Sequence, residues 1–399
     1  VLTSKDPSSS GDSARRSRRR RAARGTAFAG PRPASVPGPP RPSGKRKPEP
    51  NENAYQAQNG KDLPAVNLKR DLGFFDVFSI ASGAMISSGI FILPGLAFSK
   101  TGPSVFLSYL LAGLLALLGA LCICELSTAM PRAGGDYFYI SRSLGTAAGT
   151  ISGLLSWFAL SLKAAFAVFG IAEILYLFFG WSIPLTCAAV TALFAMINIL
   201  GVKAAGRLEA LLVAVLLALM ALYLLSGFPR VQVPRFEPFA PQGTPAILFA
   251  AGFVFVSYGG LLNISSISEE VRNPKRTLPL ALLSALVVVT LLYTLMLIVT
   301  VGVLPGSDLA RSFTPIADAA RLTVGPVGYW SVIVASMLAF VTTANAGILA
   351  ASRYPLALSR DHLLPHFVSR VSRRFQTPVV AVLITAVLIT LSLTLKLEL

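Results

Sequence analysis

Charge is what this sequence has least of. Asp, Glu, Lys and Arg together make up 13% of its 399 residues and apolar residues 54%, where a soluble domain carries about 25% charged residues. An ordinary soluble fold is thereby excluded. Acidic groups are rarer still, 18 against 35 Lys and Arg, and cysteine and histidine number only three and two. Cys122 and Cys124 fall in one apolar span and Cys187 in another. None has an evident oxidised partner, so free thiols acting as small hydrophobes are expected. A C-x-C pair without a nearby histidine is a weak metal signal. His362 and His366 sit with Asp361 in an Arg-rich loop. No H-E-x-x-H or G-x-S-x-G pattern occurs, so the hydrolase templates are missing and no enzyme activity, metal or cofactor is expected.

The net charge of +17 is concentrated at the start of the chain and in short loops. Residues 1 to about 70 hold a cluster at Arg15–Arg21 and a proline-rich tract at Pro31–Pro48, without apolar periodicity. That composition predicts disorder. No apolar stretch follows the basic run, so it is not a signal peptide. An arginine cluster can meet nucleic acid or anionic lipid. The reading preferred here is a cytoplasmic tail with no nucleic-acid partner.

From there the sequence is a succession of apolar spans, each near or above the ~20 residues a bilayer requires. Nine are predicted, at about 73–98, 104–130, 146–178, 181–200, 206–227, 244–270, 278–304, 327–357 and 378–395. With the N-terminus inside, Arg132, Arg142, Lys203, Arg207, Arg272, Lys275, Arg276, Arg360, Arg370, Arg373 and Arg374 fall in inside loops, and outside loops carry fewer basic residues. That asymmetry follows the positive-inside rule. An all-α integral membrane protein is expected, with its lipid bilayer as the first partner.

Two spans are interrupted at mid-depth by small residues. The first reads Ser87-Ser88-Gly89, flanked by Gly83, Pro94 and Gly95. The sixth reads Phe255-Val256-Ser257-Tyr258-Gly259-Gly260, followed by Asn263, Ser265, Ser266 and Ser268. Backbone groups in hydrocarbon must be satisfied internally, so a broken helix is tolerated only where protein or water surrounds it. The freed N–H and C=O groups can then hold a ligand's charged ends. A close-packing glycine–serine face is the alternative for either span alone. Two interrupted spans, five helices apart and antiparallel, point instead to an alternating-access transporter.

Lys163 lies in the middle of the third span, in Leu160-Ser161-Leu162-Lys163-Ala164. An ionisable residue at that depth is a functional candidate by default. A lysine removed from water gives up its proton more readily, so Lys163 is a candidate for proton coupling. Its alternative is a structural lysine neutralised by Glu173 or by carbonyls, although Glu173 lies about three turns away. Glu209, near the end of the fifth span, is expected to pair with Arg207 or Lys203. Glu125, Glu269 and Glu270 are expected near the inside ends beside Arg132, Arg272 and Lys275, as gate or surface pairs.

Four motifs, taken in order, resemble the amino acid–polyamine–organocation transporters. They are Ser87-Ser88-Gly89-Ile90-Phe91; Glu125-Leu126 with Pro131-Arg132-Ala133-Gly134-Gly135-Asp136-Tyr137; Tyr258-Gly259-Gly260 leading to Glu269-Glu270-Val271-Arg272-Asn273-Pro274; and Ala351-Ser352-Arg353 to Ser359-Arg360-Asp361 and Leu364-Pro365. The resemblance covers about residues 70–399. It implies a five-plus-five inverted-repeat fold with broken helices 1 and 6, repeats at about 71–228 and 243–399, and an amino acid bound between the breaks. Ser87, Ser88, Gly89 and Ile90 are then the candidates for the substrate carboxylate, and Phe255, Ser257, Tyr258 and Gly259 for its amine and a gate. For Phe255, lipid contact is the competing role. Thr342 and Thr343 would stand beside helix 1 carbonyls as an oxygen site for sodium, or bond within their own helix. The lysine that some members carry in helix 5 is missing here. The family's second repeat closes with a tenth helix, whereas this sequence stops at Leu399 after the ninth, so either a fragment or a copy without that helix is expected. The function implied is movement of an amino acid across the cell membrane by alternating access; a neutral one is expected because neither break holds an acid, with coupling to protons or else to sodium or exchange. A non-transporting sensor is the rival reading. The plasma membrane is the expected location.

Overall fold

The computed structural model describes residues 68–372 and 374–394. The basic stretch read as a tail lies outside the described residues apart from its last three. Every described element is helical, and the β-pairing among described residues is an isolated parallel bridge between Leu72 and Val271.

The first span is three helices rather than one: α1 (Phe74–Met85), α2 (Ser88–Phe91) and α3 (Leu93–Thr101). Ser82 explains part of the first interruption. Its hydroxyl donates to Phe78 O at 2.7 Å, and the Ile86 N–H closes the helix on Ser82 O. Ile86 itself turns to extended backbone. Pro94, which lacks an N–H, fits at the start of α3 where none is needed. Next come α4 (Val105–Ala129), α5 (Gly135–Leu144), α6 (Thr146–Phe179), α7 (Ile183–Leu200) and α8 (Val202–Gly227). The sixth span is likewise divided. α9 (Gly243–Val254) gives way to a 3₁₀ turn at Phe255–Tyr258 and resumes as α10 (Leu261–Ser266). Then follow α11 (Pro274–Val303), the short α12 (Gly306–Leu309), α13 (Pro315–Val324), α14 (Pro326–Ala351), α15 (Arg353–Arg360) and α16 (Val379–Thr394).

Seven of the described segments are long and apolar enough to cross a membrane, and α1 and α16 are shorter apolar helices. Both interruptions predicted from the sequence are present. The outer faces stay apolar: Leu118, Leu155, Leu211 and Leu225 are each more than 60% exposed, as suits a surface bathed in lipid. The core is built where α1 packs on α8, α11 and α14, α4 on α11, and α6 on α14. Small residues permit the closest approaches. A Cβ on Gly113 of α4 would sit 2.4 Å from Thr290 of α11, and one on Gly347 of α14 would sit 2.8 Å from Ala164 of α6.

Three of the four motifs converge at the basic end of the bundle. Gly134 takes φ +72, and a Cβ there would meet Ala357 at 2.6 Å; glycine is required on both counts. Its N–H donates to Ser266 O at 3.1 Å. The Leu72–Val271 bridge ties the entry of α1 to the segment after α10, through Leu72 N to Glu270 O and Arg272 N to Leu72 O.

Candidate functional site

The two interruptions lie against each other. A Cβ on Gly89 would fall 2.2 Å from Ser257 Oγ and 3.0 Å from Ser257 Cα. One on Gly260 would fall 2.9 Å from Ala81 O and 3.0 Å from Met85 N. Only glycine lets the backbones come so close. Ser87, Gly89 and Ile90 are buried, as are Ser257 and Tyr258, and the Ser257 hydroxyl has no hydrogen-bond partner. α2 begins at Ser88, so the first amides after the break are N-terminal amides. Phe255 behaves differently. It is 43% exposed, at the start of the 3₁₀ turn.

The carbonyls released by the break in α1 are claimed from four other helices. Lys163 Nζ of α6 donates to Ala84 O at 2.7 Å, and a Cβ on Gly259 would lie 3.5 Å from the same nitrogen. Lys163 therefore stands beside both breaks, and its partner is a carbonyl rather than Glu173. Tyr293 OH of α11 donates to Met85 O at 2.8 Å, and Tyr109 OH of α4 donates to Gly89 O at 2.6 Å. Tyr258 OH in turn donates to Tyr109 O at 2.9 Å. From α14, Thr343 Oγ1 donates to Gly83 O at 3.1 Å and reaches Ile86 O at 3.5 Å. Thr342 divides its hydroxyl between Ala339 O of its own helix, at 3.0 Å, and Gly83 O, at 3.4 Å. Both readings of the threonine pair thus have a physical counterpart.

Sequence reasoning missed Tyr109 and Tyr293, which satisfy the break, and misplaced Glu209. That carboxyl makes no ion pair with Arg207 or Lys203, both of which are exposed. It is fully buried against Gly83 and accepts from Asn345 Nδ2 at 2.7 Å. Residues two apart on a helix do not share a face, so Arg207 points away from wherever Glu209 points. That spacing was the available signal.

The acids at the basic end form ion pairs between helices. Arg353 Nε and Nη2 grip the two Glu270 oxygens at 2.7 and 3.1 Å, with both side chains almost wholly buried. Glu269 Oε2 accepts from Arg360 Nη1 at 2.8 Å and from the Ala133 N–H at 3.0 Å. Tyr137 OH donates to Asp361 at 2.6 Å, and Tyr354 OH donates to Asp136. Exposed Arg272 reaches Asp71 at 3.1 Å. Burial alone would raise the Glu269 carboxyl, but the Arg360 charge and hydrogen bond and the Ala133 amide outweigh it and hold the group below its ordinary 4.5. The sign of the pH effect follows. A lowered acid contributes stability that is complete above the ordinary value and is lost as pH falls through the lowered one. The thermal midpoint of the detergent-solubilised protein should therefore fall on acidification from about pH 6 to about pH 3, and Glu269→Gln should flatten that fall. Equal slopes for the two proteins would refute this role of the pair.

A family model described as amino acid permease matches residues 72–397. The chain belongs to that family. This permease is thus a multi-pass membrane transporter of amino acids or related compounds, not an enzyme. Its relatives include a methylthioribose transporter of Bacillus subtilis, 30% identical over 78% of this chain and 72% of the relative. A branched-chain amino acid permease of the same organism is 28% identical over 79% of this chain and 72% of its own length. A chloroplastic cationic amino acid transporter of Arabidopsis thaliana is 29% identical over 76% of this chain, which spans 58% of that relative. By their names these relatives carry different cargoes, so membership does not fix the substrate.

Proposed function

We propose that this permease moves a neutral amino acid across the plasma membrane by alternating access, coupled to protons through Lys163. The observation that carries the reading is the meeting of the two breaks at Gly89 and Ser257, with Lys163 Nζ beside both. The carboxylate is assigned to the start of α2 and the residue before it, Ser87, Ser88, Gly89 and Ile90, where a helix N-terminus presents amides, the Ile90 N–H also reaching Ser87 O at 3.4 Å. The unpartnered Ser257 hydroxyl and the backbone at Tyr258 and Gly259 face them and receive the amine. The interrupted segments act as helices 1 and 6 of two inverted repeats, with the N-terminus and the ion-paired basic end in the cytoplasm.

The choice of a neutral substrate rests on charge. Lys163 places a cation against the breaks, and neither break, at residues 87–89 and 255–260, holds an acid of its own. A substrate with a cationic side chain would meet like charge there. Of the cargoes named among the relatives, the branched-chain amino acids fit this site best. Sodium coupling is the second reading. It is favoured by the two threonine hydroxyls that converge on Gly83 O, with Ile86 O beside them.

The test is uptake of a panel of labelled amino acids by proteoliposomes holding the full chain, with and without an inward proton gradient or sodium. A neutral amino acid should accumulate with the proton gradient, and Lys163→Ala should abolish the response to the gradient while leaving exchange measurable. Sodium-driven uptake indifferent to the proton gradient would transfer the coupling role to Thr342 and Thr343. Binding without flux would replace the transporter with a sensor.

A further inference from the structure

We propose that Glu209 is a second proton-binding group of this permease, holding its proton while α8 lies against α1. The proposal rests on the proton-coupled reading above and adds a carboxyl to it. Glu209 is fully buried midway between helices. Its Oε2 accepts from Asn345 Nδ2 of α14 at 2.7 Å, and Asn345 Oδ1 accepts from Asn198 Nδ2 of α7 at 3.1 Å. Two neutral amides thus form its hydrogen-bonded support. Oε1 has no hydrogen-bond partner and is aimed at Gly83 of α1, where an added Cβ would lie 2.4 Å away.

The surroundings supply no counter-charge. On its own helix Lys203 and Arg207 are exposed, and none of the four ion pairs among the described residues includes Glu209. α1 brings Asp76, itself acidic, whose carboxylate accepts from the Gly73 N–H. α14 brings Asn345 and Thr342, and α7 brings Asn198. α11 brings Tyr293, which donates to Met85 O. α13 approaches the opposite end of α8, where Arg321 lies near Leu225. Lys163 of α6 is bonded to Ala84 O. A carboxylate here would be a buried anion with one neutral donor, which is far costlier than the neutral acid.

Position links the proton to movement. Glu209 presses on Gly83 and Lys163 holds the carbonyl of Ala84, so two ionisable groups from different helices contact consecutive residues of α1, in the turn before its break. If α1 moves away from α8, water reaches Oε1 and the acid can pass its proton to that water, leaving a hydrated carboxylate. Closure requires the proton to return.

The test uses the full chain in lipid, with Glu209→Gln as a mimic of the protonated acid and Glu209→Asp as a shorter acid. Infrared spectra of the wild type near neutral pH should contain a protonated-carboxyl C=O band that Glu209→Gln lacks and Glu209→Asp keeps. In proteoliposomes Glu209→Gln should exchange internal for external amino acid within about twofold of wild type, yet lose at least about fivefold of its proton-driven accumulation. Glu209→Asp should retain part of that accumulation, which also covers the case of a Gln variant that does not fold. An unchanged infrared band together with unchanged proton-driven accumulation in Glu209→Gln would overturn the proposal and leave the transporter reading intact. A Glu209-dependent band in a wild-type protein without flux would instead sink the transport reading and keep the protonated acid.

Discussion

Arg353→Ala is expected to cost about 3–5 kcal/mol of stability, because it strands a buried carboxylate. Arg353 is completely buried at the start of α15, and its guanidinium spans both oxygens of Glu270 while also donating to Leu349 O at 2.9 Å and Ser352 Oγ at 2.7 Å. Removing it leaves Glu270 buried without its cation. Glu270→Ala should be of similar severity, since the guanidinium is then the stranded charge. The double replacement Arg353→Met with Glu270→Leu should recover much of the loss, because desolvating an ion pair costs nearly as much as its attraction returns. The thermal midpoint and the monodisperse fraction in detergent read this out. Single variants within about 1 kcal/mol of wild type, the range of an exposed pair, would show that the pair is solvated.

Gly89→Ala should nearly abolish transport by wedging the two breaks apart. The added methyl would lie 2.2 Å from Ser257 Oγ, 2.4 Å from its Cβ and 3.0 Å from its Cα. Overpacking of this kind costs about 1–3 kcal/mol, enough to lower the population of the arrangement in which the breaks meet by about fivefold to about 160-fold. The first two atoms belong to a side chain that can itself be removed. Ser257→Gly placed on top of Gly89→Ala should therefore restore uptake, even though Ser257→Gly alone removes the hydroxyl proposed above to meet the substrate. Initial uptake rates of the two single variants and the double decide the matter. A double no better than Gly89→Ala would mean that the glycine serves something other than this contact.

The positions of the helices were legible because hydropathy registers each span directly, and α6, α7 and α16 begin and end within about two residues of the sequence expectation. Both breaks were legible because serine and glycine at mid-depth have few other uses. The partners of the freed carbonyls were not. Tyr109 and Tyr293 look like ordinary aromatic residues in apolar helices, and only the packing of α4 and α11 on the break gives their hydroxyls an acceptor. Phe255 was drawn into the site by its place near Ser257, and its exposure in the 3₁₀ turn is compatible with a gate and with lipid contact alike. Glu209 was read as a span-end acid because basic residues stand near it in sequence, whereas the helix places them on another face. The motif residues show the same limit. They identify the family, yet Glu269, Glu270, Arg353 and Arg360 tie helix ends together some way from the breaks.

The short bridge between Leu72 and Val271 is made of bonds that side-chain mutagenesis does not remove. Its bonds run from Leu72 N to Glu270 O and from Arg272 N to Leu72 O, backbone to backbone. An alanine scan would register the buried Leu72 and Val271 side chains and the Glu270 ion pair, but not the bridge, since every variant keeps the same amides. The two interrupted helices are thus hinged to one another by a joint that any sequence but one with proline at the donor positions will preserve. The connection itself is indifferent to side chains, even where burial constrains which ones stand there.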